Sequence, residues 1–323
     1  MRVQPRFVGV FACSTALVLA LACARRPAEL PPCDVSAELP HPPRDANAVH
    51  VIAAGDIGEC NTDASQRTSD LVSVAAPDAV LALGDIAYPD GTLDDFLGCY
   101  APRWGRHRTI TRAAVGNHEY HSPHAAPYYA YFCGSSGTPF HGYYSFELGT
   151  WHVVVLNSNC GHDADVGAPV EDDFGGCRGD SPQARWLRAD LAAHPAKCTL
   201  AMWHHPLFSS GPHASDAMSD VYSILVDAGV DLVLNGHAHL YERFAPMLAD
   251  GTRDDARGVP EIVVGTGGHD LLPLPRAPRA GSLALQAEVH GVLDLVLGDD
   301  HVHFAFVPIR AGAFTDEGDV PCH

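Results

Sequence analysis

Short apolar runs recur along the chain, and several end in glycine followed by a polar side chain: His50 to Ala54, Ala79 to Leu83, Arg112 to Val115, Leu200 to Trp203 and Asp231 to Leu234. Near-continuous apolar runs of this length read as strands buried on both faces, the situation of a sheet covered by helices. Helices are predicted between them over Asp63 to Ala76, Ser181 to His194 and Asp216 to Ala228, with Ser181 as N-cap and Pro182 at the first helical position. Further strands are predicted at Tyr143 to Leu148, Trp151 to Leu156, Glu261 to Val264, Gly291 to Leu297 and His301 to Val307, the last two forming a hairpin across Gly298-Asp299-Asp300. The pattern describes one α/β domain over 49–323, without internal repeats. Its polar residues collect on the loops at strand ends, where open α/β sheets place their sites.

Before that domain, Arg2 and Arg6 precede an apolar run from Phe7 to Ala22, and Arg25, Arg26 and several prolines follow it. Residues 1–22 therefore read as a secretory signal, with an apolar run too short for the roughly 20 residues of a membrane span. Cys23, directly after Ala20-Leu21-Ala22, opens two readings: a lipidated cysteine that tethers the mature chain, or one more residue of the leader. The first lacks the leucine expected three residues earlier, where Ala20 stands. Residues 23–48 are proline-rich and read as a linker. The expected location is outside the cytoplasm, whether periplasmic, lipid-anchored at the cell surface or secreted.

Eight cysteines remain after Cys13 and Cys23 are set aside, an even number that implies disulfides in an exported chain. They contain no CxxC pair, which speaks against a zinc ribbon. A Cys160 to Cys177 pairing would clip the loop carrying Asp163, Asp165, Glu171, Asp172 and Asp173, a segment read as a solvated insertion in preference to a calcium site.

With 46% hydrophobic and 18% charged residues the chain can bury a sizeable core. Its net charge of −19, which becomes −21 once the two arginines of the leader are removed, repels nucleic acid and anionic lipid surfaces. Membrane association is expected only through a lipid on Cys23. The 20 histidines exceed what a core requires and point to metal ligation or proton transfer.

Five segments follow the predicted strands: Gly55-Asp56-Ile57-Gly58, Gly84-Asp85-Ile86-Ala87-Tyr88, Gly116-Asn117-His118-Glu119, Trp203-His204-His205-Pro206 and Gly236-His237-Ala238-His239. Each alone is an ordinary turn. Together they supply two aspartates, a tyrosine, an asparagine and three histidines, seven hard or borderline ligands, enough for two metal ions if one aspartate bridges. His237 and His239, two apart in a segment read as strand-like, are expected to point to one face.

The order and spacing of these segments resemble the calcineurin-like metallophosphoesterases and, within them, the purple acid phosphatases. Gly58 stands where the wider superfamily has a histidine, Tyr88 follows Asp85 by three residues, and Gly236 to Arg243 reads GHAHLYER, close to the last purple acid phosphatase motif. The resemblance implies a four-layer α/β/β/α sandwich with the site at the C-terminal ends of the strands. It implies ferric iron on Asp56, Asp85, Tyr88 and His239, and a divalent iron, zinc or manganese ion on Asp85, Asn117, His204 and His237. His204 is selected over His205 because the family ligand lies two residues before the proline. His118 matches a histidine that contacts substrate and assists the leaving group, and His213 matches a second substrate-facing histidine of some small members. Glu242 and Arg243 are expected to brace the last ligand loop. The aromatic residues Tyr128, Tyr129, Tyr131 and Phe132 are read as core in preference to a substrate rim, and the unmatched histidines as structural or exposed.

The implied activity is hydrolysis of small phosphate monoesters by a metal-held hydroxide, two ions roughly 3.5 to 4 Å apart neutralising the phosphoryl oxygens. Two alternatives are a phosphodiesterase or nucleotide hydrolase on the same fold, and a non-catalytic metal-binding lipoprotein. The second is disfavoured because all seven ligand positions carry competent residues.

Overall fold

Alternate residues of β1 (Ala48–Ala54) enter two different cores, Val51 and Ala53 on one side and Ile52 and Ala54 on the other. The computed structural model describes residues 48–160 and 175–323. The leader, Cys23, the proline-rich linker, His162 and the acidic residues from Asp163 to Asp173 lie outside the described residues.

β1 pairs in parallel with β2 (Ala79–Leu83), which pairs in parallel with β3 (Thr111–Ala114). On its other side β1 receives β11 (Gly291–Gly298), then β12 (His301–Pro308) and β13 (Glu317–Pro321), all antiparallel. The second sheet contains β4 (Tyr144–Leu148), β5 (Trp151–Val155), β6 (Cys198–Met202), β7 (Leu232–Asn235), β8 (Tyr241–Phe244), β9 (Glu261–Val264) and β10 (Ser282–Gln286). Its order is β10-β8-β9-β7-β6-β5-β4, parallel from β5 through β6 and β7 to β9.

The sheets face each other across Val51, Leu83, Val153, Leu200, Leu234 and Leu295. The outer face of the first is covered by α1 (Ala64–Ala75), by short helical turns that bring in Phe96 and Trp104, and by α3 (Ala126–Phe132); α2 (Leu93–Asp95) is a single capped turn. The outer face of the second is covered by α4 (Pro182–Ala193) and α5 (Ser219–Ala228). Each fully buried aliphatic side chain contributes roughly 1.5 to 3 kcal/mol, so residues that alternate between two covered faces commit both. The result is the four-layer sandwich. Tyr128, Tyr129, Tyr131 and Phe132 all lie in the core beneath the first sheet.

Local chemistry sets the helix ends. Ser181 Oγ accepts the Ala184 N–H at 3.1 Å with Pro182 next to it, and Gly229 ends α5 at φ 70°. The segment expected to be one helix from Asp216 is a 3₁₀ turn over Asp216–Met218, and the α-helix begins at Ser219. The strands β8, β10 and β13 are not among those expected, and the edge strand β13, with Glu317 and Asp319, has no buried apolar run. Disulfides join Cys60 to Cys99, Cys160 to Cys177 and Cys198 to Cys322. Among the described residues no helix is long and apolar enough to cross a membrane.

Candidate metal centre

Five strands deliver the matched segments to one edge of the sandwich: β1, β2 and β3 from the first sheet, β6 and β7 from the second. Tyr88 Oη lies 3.0 Å from Asp56 Oδ1, 3.2 Å from Asp85 Oδ2 and 3.4 Å from His239 Nε2. His239 Nε2 is itself 3.3 Å from Asp56 Oδ1. On the far side of Asp85, His204 Nε2 lies 3.1 Å from Asp85 Oδ2 and 3.1 Å from Asn117 Oδ1. The His237 ring is centred 4.9 Å from that of His204. The seven residues thus form two groups that share Asp85.

The backbone pays a conformational cost for this convergence. Asp56, Asp85 and His237 have φ of 58°, 48° and 65°, the left-handed region that a side chain disfavours. The segment holding His237 and His239 is a bend, not the strand expected from its spacing. Strand alternation therefore does not explain why both imidazoles reach the site: the left-handed turn at His237 does, and it sends the two rings to different groups. Gly116 and Gly236 give the necessary clearance, since a Cβ on the first would strike the Asp85 carboxylate and one on the second would sit 2.9 Å from Asp56 Oδ2.

Backbone contacts orient the donors. Asp56 Oδ2 accepts the His237 N–H at 2.8 Å and Asp85 Oδ1 the His118 N–H at 2.9 Å, leaving the other oxygen of each carboxylate to the cluster. His204 Nδ1 lies 2.8 Å from the Leu83 carbonyl and His239 Nδ1 3.0 Å from that of Asp270, so each turns Nε2 inward. Beneath them Glu119, wholly buried, accepts N–H bonds from Asp85 and Gly116 on Oε2 and from Ile86 and Ala87 on Oε1.

The electrostatics suit cations. Burial resists ionisation of Asp56 and Asp85, but the neighbouring imidazoles prevail: the His239 hydrogen bond holds Asp56 below the usual carboxylate range, and the charges of His204 and His118 hold Asp85 well below it. Burial and then the two carboxylates push the Tyr88 phenol far upward, so it parts with its proton only to a site that brings positive charge. Burial, followed by the charges of His205 and His204, drives His237 well down and keeps a lone pair available.

The expected proton donor stands beside this cluster. His118 Nδ1 faces the Pro89 carbonyl, and Nε2 lies 3.8 Å from Asp85 Oδ2, with the ring 4.4 Å from that of Tyr88. His213 is at the rim, its ring 5.1 Å from His237 and 6.4 Å from His239. His205 is buried against Ser158 Oγ at 2.8 Å and against the His237 ring at 4.2 Å. Burial and the His204 charge bring it down to about 3.

The Calcineurin-like phosphoesterase family model matches residues 49–241. The chain belongs to the calcineurin-like phosphoesterase family. It is 29% identical over 265 residues to Purple acid phosphatase 15 of Arabidopsis thaliana, covering 68% of this chain and 45% of that protein. To Acid phosphatase type 7 of Homo sapiens it is 26% identical over 287 residues, covering 77% and 62%. Its fold superposes on the purple acid phosphatase PPD1 of yellow lupin with a TM-score of 0.72 at 16% identity, covering 86% of this chain and 55% of the lupin chain. The chain spans about half the length of the curated relatives it matches first.

Two residues beside this site are not among those the sequence points to. The ring of His269 is 4.1 Å from Tyr88 and 4.5 Å from His239. A signal existed: Gly265-Thr266-Gly267-Gly268 follows β9 just as glycines follow the other site strands. Glu119 was visible as the end of the Asn117 segment, though nothing in its spacing shows that four amides converge on it. Conversely, Arg243 does not brace the ligand loop; it makes a two-pronged pair with Asp316 at 2.7 and 2.9 Å. Glu242 accepts from Ser210 N at 2.7 Å and also from its hydroxyl, and so steadies the segment leading to His213.

Proposed function

We propose that this chain is an exported phosphatase that hydrolyses small phosphate monoesters at a dinuclear centre of ferric iron and a divalent iron, zinc or manganese ion. The observation that carries this reading is the position of Asp85 Oδ2, 3.2 Å from Tyr88 Oη and 3.1 Å from His204 Nε2, one carboxylate in contact with both ligand groups. The donor set fits two cations: Asp56, Asp85, Tyr88 and His239 would hold the first, and Asp85, Asn117, His204 and His237 the second. A phenol among the donors favours ferric iron. Bound cations would neutralise phosphoryl oxygens and acidify water.

The remaining steps belong to the protein. His118 directs Nε2 toward the cluster while Nδ1 is engaged by Pro89, a suitable arrangement for handing a proton to a departing alkoxide. His213 supports the opposite side of the rim. Glu119 keeps Asp85 in register by gripping the amides on either side of it. Disulfides among the described residues, together with the apolar leader, support export, and Cys23 would be the point of any lipid tether.

The test is metal content together with turnover of p-nitrophenyl phosphate and its bis ester. Two metals per chain and preference for the monoester support the proposal. Preference for the bis ester would make the chain a phosphodiesterase, and bound metal without turnover would make it a binding protein.

A further inference from the structure

A second cluster of metal-binding side chains stands at the other end of the second sheet. His152 is at the start of β5, directly opposite Glu147 of β4, whereas the candidate centre lies past the far end of these strands. His152 Nδ1 is 2.9 Å from Glu147 Oε1, and Nε2 is 2.8 Å from Asp190 Oδ2. Asp190 lies on α4 and His194 caps that helix, so the two are four residues apart and share one face. His194 Nδ1 is 3.4 Å from Asp190 Oδ1, and the His194 ring stacks on His152 with centroids 4.9 Å apart.

We propose that His152, Asp190 and His194 form a zinc site distinct from the dinuclear centre. One donor atom from each already lies within 4.8 Å of the others. Ligands about 2.0 to 2.1 Å from a tetrahedral ion stand roughly 3.3 Å apart, so closing the site needs shifts on the order of 1 Å. The residue that must move is the accessible one: the His194 side chain retains 48% of its exposure, while His152 and Asp190 are held at 1% and 7%. Ser145 Oγ donates to Asp190 Oδ1 at 2.7 Å and leaves Oδ2 toward His152.

Glu147 completes the arrangement. A histidine that ligates zinc through Nε2 usually gives its Nδ1–H to a carboxylate, which fixes the ring and strengthens the donor, and Glu147 occupies that place. Against the opposing effect of burial, the two carboxylates favour positive charge at His152: they raise its affinity for a proton, and a zinc ion on Nε2 would take that proton's place. Mixed nitrogen and oxygen donors suit zinc among the common divalent ions. His194 borders two cavities, of about 770 and 340 Å³, which give an ion access and leave room for water as the fourth ligand. His194 Nδ1 also lies 2.9 Å from the Asp190 carbonyl, closing the helix end, and ligation through Nδ1 would replace that contact.

The test is zinc titration of the full chain with its dinuclear centre loaded, read as metal per chain and dissociation constant. One additional zinc is expected in wild type. His194→Ala, at a half-exposed helix end, should lose it or bind it at least about tenfold more weakly, while monoester turnover is unchanged. Glu147→Gln should weaken it in the same direction. Asp85→Ala should retain it even though the dinuclear centre is lost, which separates this site from the function proposed above. His303→Ala, which removes an exposed histidine facing Asp319 at 2.9 Å, should have no effect. Equal zinc affinity in wild type and His194→Ala, or loss of all zinc binding in Asp85→Ala, would overturn the assignment.

Discussion

Glu119 Oε2 accepts the backbone N–H of Asp85 at 3.0 Å, which makes a buried carboxylate the mount for the residue shared by both groups of the candidate centre. Burial and then the Asp85 charge raise Glu119 to about 7, while four amide donors keep its acceptor capacity occupied. Glu119→Gln turns one oxygen into an NH₂ group facing amide donors. Each buried donor left without an acceptor costs about 1 to 3 kcal/mol, so thermal stability and metal retention should fall together. Unchanged metal content in this variant would show that Asp85 needs no such mount.

Asp85→Ala should abolish turnover and empty both groups, because the two ligand groups share this one side chain. His118→Ala should keep the metals and lower the turnover number by about 10²- to 10⁴-fold, with the smaller loss on an aryl phosphate, whose leaving group needs little protonation. Metal analysis beside steady-state rates on aryl and alkyl phosphates distinguishes the two variants. Equal metal loss in both would erase the division between ligand and proton donor.

The oxidised, iron-loaded protein should be coloured, since a phenolate on ferric iron absorbs visible light and Tyr88 is the phenol at the cluster. Tyr88→Phe keeps the ring between His118 and His269 but removes the oxygen, so the band should vanish while the fold remains. An iron-containing wild type without a visible band would remove Tyr88 from the ligand set.

Glu261 gives a pH prediction away from the centre. It is fully buried; Oε1 accepts the Phe208 N–H at 2.9 Å, and Oε2 has no partner among the described residues. Burial raises it from 4.5 to about 8. The folded state therefore holds this proton more tightly than the unfolded chain. Its contribution is complete below about pH 4.5 and declines as pH rises toward 8, by up to roughly 1.4 kcal/mol per pH unit. Glu261→Gln cannot ionise and should flatten that decline. Denaturant midpoints at both ends of the window check it, and parallel slopes for variant and wild type would refute it.

The strands and the convergence of the five segments were legible in the sequence because buried parallel strands are apolar runs and their loops need glycine. Ser181 and Pro182 marked a helix start through chemistry that acts over four residues. What could not be read depends on contacts between distant segments. β8 is half polar and is buried because Glu242 meets Ser210 and Arg243 meets Asp316. His269 reaches Tyr88 only once β9 is in place. The left-handed φ of Asp56, Asp85 and His237 is only weakly signalled, because aspartate and histidine enter that region more often than most side chains yet usually do not.

That the donors come from both sheets has a consequence for assembly. Asp56, Asp85, Tyr88 and Asn117 leave one sheet, and His204, His237 and His239 leave the other. Any ion held between them acts as a rivet through the sandwich. It cannot be set before the two halves meet, and drawing it out should loosen their docking before either sheet frays within itself.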